Sequence, residues 1–170
     1  PANERIWDYM SDDIHMMPAT ELVTAYRAGT LSPVEVTRAA LDQIERHDGA
    51  LNAFTIVCAD EAMAAARESE ERWRRRAPIG CGDGVPTSIK DLLLMKGHPT
   101  RRGSLTTPDK PDTEDAPSTA RLREHGAIFI GKTAAPEFGW KGVTDSPFSG
   151  ITRNPWDTTR TPGGSSGGSA

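Results

Sequence analysis

Apolar residues near the start of the chain recur three and four positions apart. In the segment of residues 19–28 the recurring apolar residues are Leu22, Val23 and Tyr26. This spacing predicts an amphipathic helix. Residues 1–17 show no clear period, so we predict an N-terminal arm there and the body of the protein from residue 18 onwards.

Two further helices are marked by the residues at their ends as well as by apolar spacing. Ser32-Pro33-Val34-Glu35 is a capping box with proline at the first helical position, and we expect that helix to end at Gly49. Asp60 is expected to cap a third helix. That helix closes at the basic run Arg74-Arg75-Arg76, where positive charge complements the helix dipole.

Three short runs of apolar and β-branched residues predict strands: AFTIV (53–57), GVPTSIKD (84–91) and AIFIG (127–131). The last run is continuously apolar and bounded by glycines, which is typical of a strand buried on both faces. Just before it, Ser118 is expected to cap a short helix that runs through His125. The alternation of helix, glycine and buried strand indicates an α/β protein.

Composition and charge narrow the class of protein. The chain has 170 residues, enough for one domain of ordinary size, and 20 basic against 24 acidic side chains give a net charge of −4. Because the charges are interspersed, we expect no nucleic-acid partner. No apolar run approaches the roughly 18 residues of a membrane span, and no secretion signal is visible. The sequence therefore predicts a soluble cytoplasmic protein without a membrane partner.

The cysteines and histidines give no local sign of a metal site. Cys58 and Cys81 are the only cysteines, and neither lies in a CxxC or Cys/His ligand spacing. We therefore expect no zinc site and no bound metal. His98 and His125 are expected in a loop and at a helix end, without catalytic roles.

The Gly/Ser segment, GGSSGGSA at residues 163–170, has three interpretations from its residues alone. It is a flexible linker, a nest of backbone N–H groups for an anion, or a pair of overlapping GxSxG nucleophile elbows centred on Ser165 and Ser166. A P-loop is excluded, because no lysine follows the glycines. Two prolines shortly before the segment argue against the strand that an elbow requires.

Longer segments resemble the amidase signature family of serine hydrolases, namely GVPTSIKDLLLMKG (84–97), IGKTAAPEFGW (130–140) and RNPWDTTRTPGGSSGGSA (153–170). Residues 20–54 are similar to the family's N-terminal helical pair and entry strand. The resemblance implies an α/β/α sandwich with a mixed sheet against which the N-terminal helices pack. It also implies that residues 18–170 are the N-terminal part of a single amidase domain, so that the chain is an incomplete part of the fold.

The resemblance further implies a Ser–cisSer–Lys triad. Lys90 matches the lysine of the family's GVPxxxKD motif, and Ser165 matches the bridging serine, which follows a cis peptide bond. Ser166, Gly163 and Gly164 are expected to support these two residues. The family's nucleophilic serine lies in a later segment, which we expect beyond residue 170, so the 170-residue chain alone is expected to be inactive. No metal or organic cofactor is implied.

The chemistry of the residues is compatible with these roles. A hydroxyl nucleophile needs a base, and lysine serves as one when burial lowers its pKa. On the residues alone, a surface lysine at a strand end is the favoured interpretation of Lys90, and the resemblance to the family reverses that preference. Asp91 either orients the site or has a structural role, because adjacent strand residues point to opposite faces. The aromatic residues Trp140, Phe148 and Trp156 are candidates for an acyl pocket, although we expect them to pack in the core or loops.

The function implied by the resemblance is hydrolysis of a small-molecule carboxylic amide to an acid and ammonia or an amine, through an acyl-enzyme. Neither the particular amide nor the oligomeric state is implied, and a homo-oligomer is left open. One alternative is the A subunit of a tRNA-dependent amidotransferase, but residues 136–142 (PEFGWKG) depart from that subunit's DEFAMGSS-type sequence. Another is a non-catalytic module that binds anions with the Gly/Ser segment, which a large distance between Lys90 and Ser165 would favour.

Overall fold

The computed structural model describes residues 14–170. The predicted arm therefore lies outside the described residues except for its end, where Ile14–Met16 form a short 3₁₀ helix. The elements are, in chain order, α1 (Ala19–Ala28), α2 (Pro33–Leu51), β1 (Phe54–Val57), α3 (Ala59–Arg74), β2 (Pro86–Lys90), α4 (Pro117–Glu124), β3 (Ile128–Thr133), β4 (Asp145–Ser146) and β5 (Gly150–Ile151). Two further 3₁₀ helices cover Glu137–Gly139 and Gly167–Ser169.

A three-stranded mixed sheet forms the centre of the structure, with strand order β1-β3-β2. β3 pairs antiparallel with β1 and parallel with β2. All six residues of β3 are buried, as its apolar sequence predicts. β4 and β5 form a separate two-stranded ribbon. The mixed sheet agrees with the architecture expected from the sequence.

Both faces of β3 are covered by apolar contacts. On one face Ile128 and Ile130 pack with Ala62 and Ala66 of α3. On the other face Phe129 clusters with Ile89, Met95 and Cys58, and the guanidinium of Arg123 in α4 lies 4.6 Å from the Phe129 ring centre. Helices thus lie on both sides of the sheet. Each fully buried aliphatic side chain stabilises such a core by about 1.5–3 kcal/mol.

The second helix begins as predicted but ends later. The Ser32 hydroxyl accepts a hydrogen bond from the backbone N–H of Val34, and the backbone N–H of Ser32 donates to Glu35, which confirms the capping box. The predicted end at Gly49 is wrong, because α2 continues to Leu51. The helix stops where Asn52 adopts a left-handed conformation with φ of 53°. The Asp48 carboxylate then accepts hydrogen bonds from the next two backbone N–H groups.

Two predicted helix caps are also wrong. α3 begins at Ala59 after Cys58, so Asp60 lies inside the first turn and makes no capping hydrogen bond. There its negative charge still favours the helix N-terminus. α4 begins at Pro117 after Ala116, which places Ser118 within the helix. Proline fixes the start of that helix because its backbone angle suits the first helical position and it has no N–H to satisfy.

None of the described helices is both long enough and apolar enough to cross a membrane.

Candidate active site

Lys90 and Ser165 are 75 positions apart in the sequence and in direct contact in the structure. Lys90 is the last residue of β2, and its Nζ donates a hydrogen bond to Ser165 Oγ at 3.0 Å. The Gly164–Ser165 peptide bond is cis. The parallel pairing of β2 with β3 places Lys90 opposite Thr133 in register. The structure therefore places the two residues within reach for proton transfer, while their catalytic roles stay a prediction.

The Gly/Ser segment is packed against the ends of two strands. The backbone N–H of Gly168 donates to the Ala134 carbonyl at 2.9 Å, just after β3. A Cβ at Gly168 would overlap the carbonyl oxygen of Ala53, just before β1. Gly167 has φ of +64°, and a Cβ there would overlap the Ala134 carbonyl. Glycine is required at both positions, so the segment is not a flexible linker.

Two threonines that the sequence analysis missed hold the Gly/Ser segment in place. Thr133 Oγ1 lies 2.5 Å from Ser169 Oγ, and Thr144 Oγ1 donates to the Gly163 carbonyl at 2.7 Å. The register that pairs Thr133 with Lys90 exists only in the folded sheet, so no sequence pattern indicated Thr133. Nothing in the sequence pattern indicated Thr144.

The other predicted supporting residues have different surroundings. Gly163 accepts the hydrogen bond from Thr144. Gly164 lies tightly against the backbone of Lys141, whose carbonyl oxygen would be 2.8 Å from an added Cβ. The Ser166 side chain is exposed and makes no hydrogen bond with any residue from 14 to 170. Ser165, rather than Ser166, therefore contacts Lys90.

The electrostatic surroundings of Lys90 shift its protonation equilibrium towards the neutral form. Burial lowers the pKa of its ammonium group, because a low-dielectric environment disfavours the charged form. Within the described part of the chain no carboxylate forms an ion pair with Lys90. Its contact with Ser165 is to a neutral hydroxyl, which compensates a positive charge only weakly.

Asp91 does have a charged partner, Lys132 of β3. Lys132 Nζ lies 3.0 Å from Asp91 Oδ1, and both side chains are buried. The same ammonium donates to the Pro99 carbonyl and to Thr100 Oγ1. Burial raises the pKa of Asp91, and the Lys132 charge and the Arg101 backbone N–H oppose that rise. The Asp91 side chain therefore links the end of β2 to β3. Of the two roles that the sequence left open for Asp91, orienting the site or stabilising the structure, this contact is the structural one.

The aromatic candidates divide into two groups. Trp140 and Trp156 are 90% and 94% exposed, so the expectation that they pack in the core or loops is wrong for both. They lie in irregular segments rather than on an apolar face of a helix or strand. Phe148 does pack, with the Arg101 guanidinium 4.3 Å from its ring centre.

His98 and His125 lie where the sequence predicts, and neither contacts Lys90 or Ser165. His125 follows the end of α4. His98 lies in a loop, with Nε2 3.0 Å from Glu61 Oε2 and 3.8 Å from Cys58 Sγ. Burial raises the pKa of the Cys58 thiol to about 11. The thiol is therefore protonated at neutral pH, so this group is not an activated nucleophile.

The similarity to known proteins extends over the part of the chain that contains these site residues. The family model for amidases matches residues 35–170. The A subunit of a glutamyl-tRNA(Gln) amidotransferase from Thermobifida fusca is 42% identical over 154 residues, which cover 91% of this chain and 31% of that protein. An indoleacetamide hydrolase from Bradyrhizobium diazoefficiens is 38% identical over 150 residues, 88% of this chain and 29% of that protein.

The fold has solved counterparts as well. The crystal structure of a bacterial aryl acylamidase, one of the amidase signature enzymes, superposes with a TM-score of 0.82 at 33% identity. The match covers 91% of this chain and 32% of that structure. The chain therefore spans about a third of the length of the relatives it matches, and its architecture is a part of their fold.

Proposed function

The chain belongs to the amidase family, and from this premise we propose that it is part of a hydrolase that cleaves a small-molecule carboxylic amide to an acid and ammonia or an amine. The observation that carries the proposal is the 3.0 Å contact between Lys90 Nζ and Ser165 Oγ. We propose that the enzyme acts in the cytoplasm, and that it needs no metal or organic cofactor for this reaction.

The proposed proton path begins at a nucleophilic serine supplied by a segment outside these 170 residues. That serine gives its proton to Ser165, whose own proton passes to neutral Lys90 as the nucleophile attacks the amide carbonyl. Backbone N–H groups near the nucleophile stabilise the oxyanion. The proton then returns along the same path to the leaving nitrogen, and the C–N bond breaks to give an acyl-enzyme. Water hydrolyses the acyl-enzyme with the same groups as base and acid.

The surroundings of Lys90 support its role as the base. A lysine with an ordinary pKa of about 10.4 is almost entirely protonated at neutral pH and cannot accept a proton. Burial lowers the pKa of Lys90, and no described carboxylate stabilises its charge. The fixed contact with Ser165 supplies the geometry that proton transfer requires.

A second candidate function is the A subunit of a tRNA-dependent amidotransferase, which the 42% identity to such a protein favours. The two functions share the same proton path and differ in where the ammonia goes. Residues 136–142 (PEFGWKG) depart from the DEFAMGSS-type sequence of that subunit. The similarity to an indoleacetamide hydrolase and to an aryl acylamidase supports a free-standing amidase. We therefore place the amidase first.

The non-catalytic anion-binding module has less support. A large distance between Lys90 and Ser165 would have favoured it, and the two side chains are hydrogen-bonded instead. An anion nest needs free backbone N–H groups, and those of Gly168 and Ser169 are already hydrogen-bonded to the carbonyls of Ala134 and Ser166.

The test is an assay of ammonia or amine release from a panel of aryl and arylalkyl carboxamides and glutamine. The purified enzyme that contains this chain is assayed alone, and then with amidotransferase partner subunits and glutamyl-tRNA(Gln). We expect turnover of small amides by the enzyme alone. Activity that appears only with the partner subunits would establish the amidotransferase instead. No hydrolysis under either condition would refute both functions.

A further inference from the structure

Three potential metal ligands lie together at the start of α3. Cys58 precedes the helix, Glu61 lies in its first turn, and His98 comes from the loop after β2. His98 Nε2 lies 3.0 Å from Glu61 Oε2 and 3.8 Å from Cys58 Sγ. The sequence spacing gave no sign of this group, because His98 is 37 positions from Glu61.

We propose that Cys58, Glu61 and His98 bind a divalent transition-metal ion of the zinc type. Zinc is bound by thiolate, imidazole and carboxylate at roughly 2.0–2.3 Å in tetrahedral geometry, which separates the ligand atoms by roughly 3.3–3.7 Å. The three ligand atoms all lie within 4.8 Å of one another. These separations are close to the tetrahedral ones, so we expect side-chain rotations to admit the ion.

The donor set also selects the class of ion. A thiolate and an imidazole are preferred by zinc and its neighbours in the first transition series, whereas magnesium and calcium prefer oxygen ligands. The binding ion displaces the thiol proton of Cys58 into solvent, and the resulting thiolate and the Glu61 carboxylate carry two negative charges, which a divalent ion neutralises. Cys58 is buried and Glu61 is 69% exposed, so the ion can enter from the Glu61 side.

Most cations near the three ligands have carboxylate partners of their own. Two cations remain close to the group: Lys96 forms no ion pair among residues 14–170, and the charges of Arg123 and Glu61 interact. Lys132 lies near Cys58 but is paired with Asp91. Arg123, which lines the adjoining cavity, is paired with Asp115, and Arg72 is paired with Asp83. That cavity has a volume of about 240 Å³ and is also lined by Glu61 and His98. A water molecule within it would complete the coordination as the fourth ligand.

The experiment titrates the purified protein, stripped with a chelator, with Co²⁺ and Zn²⁺. Cobalt reports a thiolate ligand through its charge-transfer absorption, and zinc is expected to raise the Tm because it binds the folded state. We expect one equivalent of Co²⁺ to bind with the thiolate band. Cys58→Ser should abolish that band, and Glu61→Gln should weaken the affinity by more than about tenfold, since even loss of an outer partner costs this much. Glu61→Gln lies at the surface and leaves the core intact.

Cys81→Ser is the matched control. Cys81 Sγ also lies close to a histidine, 3.7 Å from His125 Nδ1, but no acidic group joins that pair among residues 14–170. Cys81→Ser should bind both metals like the parent protein. Absence of Co²⁺ and Zn²⁺ binding in the parent would overturn the proposal. The proposal would also be overturned if Cys58→Ser and Glu61→Gln left metal binding unchanged, or if Cys81→Ser removed it.

Discussion

Two lysines on neighbouring strands have opposite electrostatic surroundings. Lys132 is completely buried with its charge paired to Asp91, and it also donates to two oxygens of the loop after β2. Lys90 is half-buried and contacts a neutral hydroxyl. Of these two lysines, only Lys90 lacks a carboxylate partner among the described residues, so Lys90 is the one suited to lose its proton. Lys132 is suited to hold the structure together.

Replacing Ser165 tests the bridging role. Ser165→Ala removes the hydroxyl that contacts Lys90 Nζ, so we expect kcat for amide hydrolysis to fall by about 10²- to 10⁴-fold, the usual contribution of a proton-transfer group. Ser166→Ala is the comparison, because that side chain is exposed. The fall in kcat for Ser166→Ala should be much smaller than the fall for Ser165→Ala. Equal losses in the two variants, measured by steady-state kinetics, would argue against a specific path through Ser165.

Replacing Gly168 tests the packing of the Gly/Ser segment. A Cβ at Gly168 would overlap the Ala53 carbonyl, and forcing atoms into packed space costs about 1–3 kcal/mol. We expect Gly168→Ala to lower the thermal midpoint of the enzyme and its activity together. Gly142→Ala is the matched control, because a Cβ there meets nothing within 4 Å. A wild-type midpoint for Gly168→Ala would show that the segment is loosely held.

At the level of elements, the sequence predicted those whose pattern is local. The capping box at Ser32 marks the start of α2 and the apolar run marks most of β3, and both are confirmed. Helix ends were harder to predict from the sequence, because Asn52 and Pro117 determine them through backbone conformation rather than through a side-chain cap. Lys132 was missed because it lies at the end of an apolar strand and its partner, Asp91, is distant in sequence.

The Lys132–Asp91 ion pair links β3 to the end of β2, and its loss should destabilise the sheet. Lys132→Met leaves a buried carboxylate unpaired, which costs about 3–5 kcal/mol. The double variant with Asp91→Asn should recover part of that loss, because the unpaired charge is gone. Lys141→Met breaks the exposed pair with Asp145 and should cost less than about 1 kcal/mol. Denaturant unfolding of these variants and of Asp91→Asn alone measures each change in the free energy of unfolding. If the double variant lost the sum of the two single-variant losses, the two residues would not be coupled.

At the level of the whole molecule, the described sheet has two open edges. β1 and β2 each pair only with β3 within residues 14–170, and large apolar side chains such as Trp140, Trp156 and Ile151 are exposed. In the relatives these residues belong to a fold about three times as long. The resemblance implied this larger context, which the pattern of a single chain does not encode.

We therefore expect residues 1–170 expressed alone to associate or to unfold gradually, because open strand edges and exposed apolar surface favour self-association. Light scattering measures the first property, and urea unfolding followed by circular dichroism and tryptophan fluorescence measures the second. A monomer with a single sharp transition, coincident by both probes, would contradict this expectation.

The most direct test of the central claim is the pH dependence of kcat/KM in the intact enzyme. The base must be neutral Lys90, whose pKa is lowered by burial, so kcat/KM should fall by about tenfold per pH unit below that lowered pKa and level off above it. Lys90→Ala should remove most of the activity, and Lys90→Arg should not restore it, because a guanidinium stays protonated. Near-normal turnover by Lys90→Arg, with the same pH profile, would show that Lys90 is not the base.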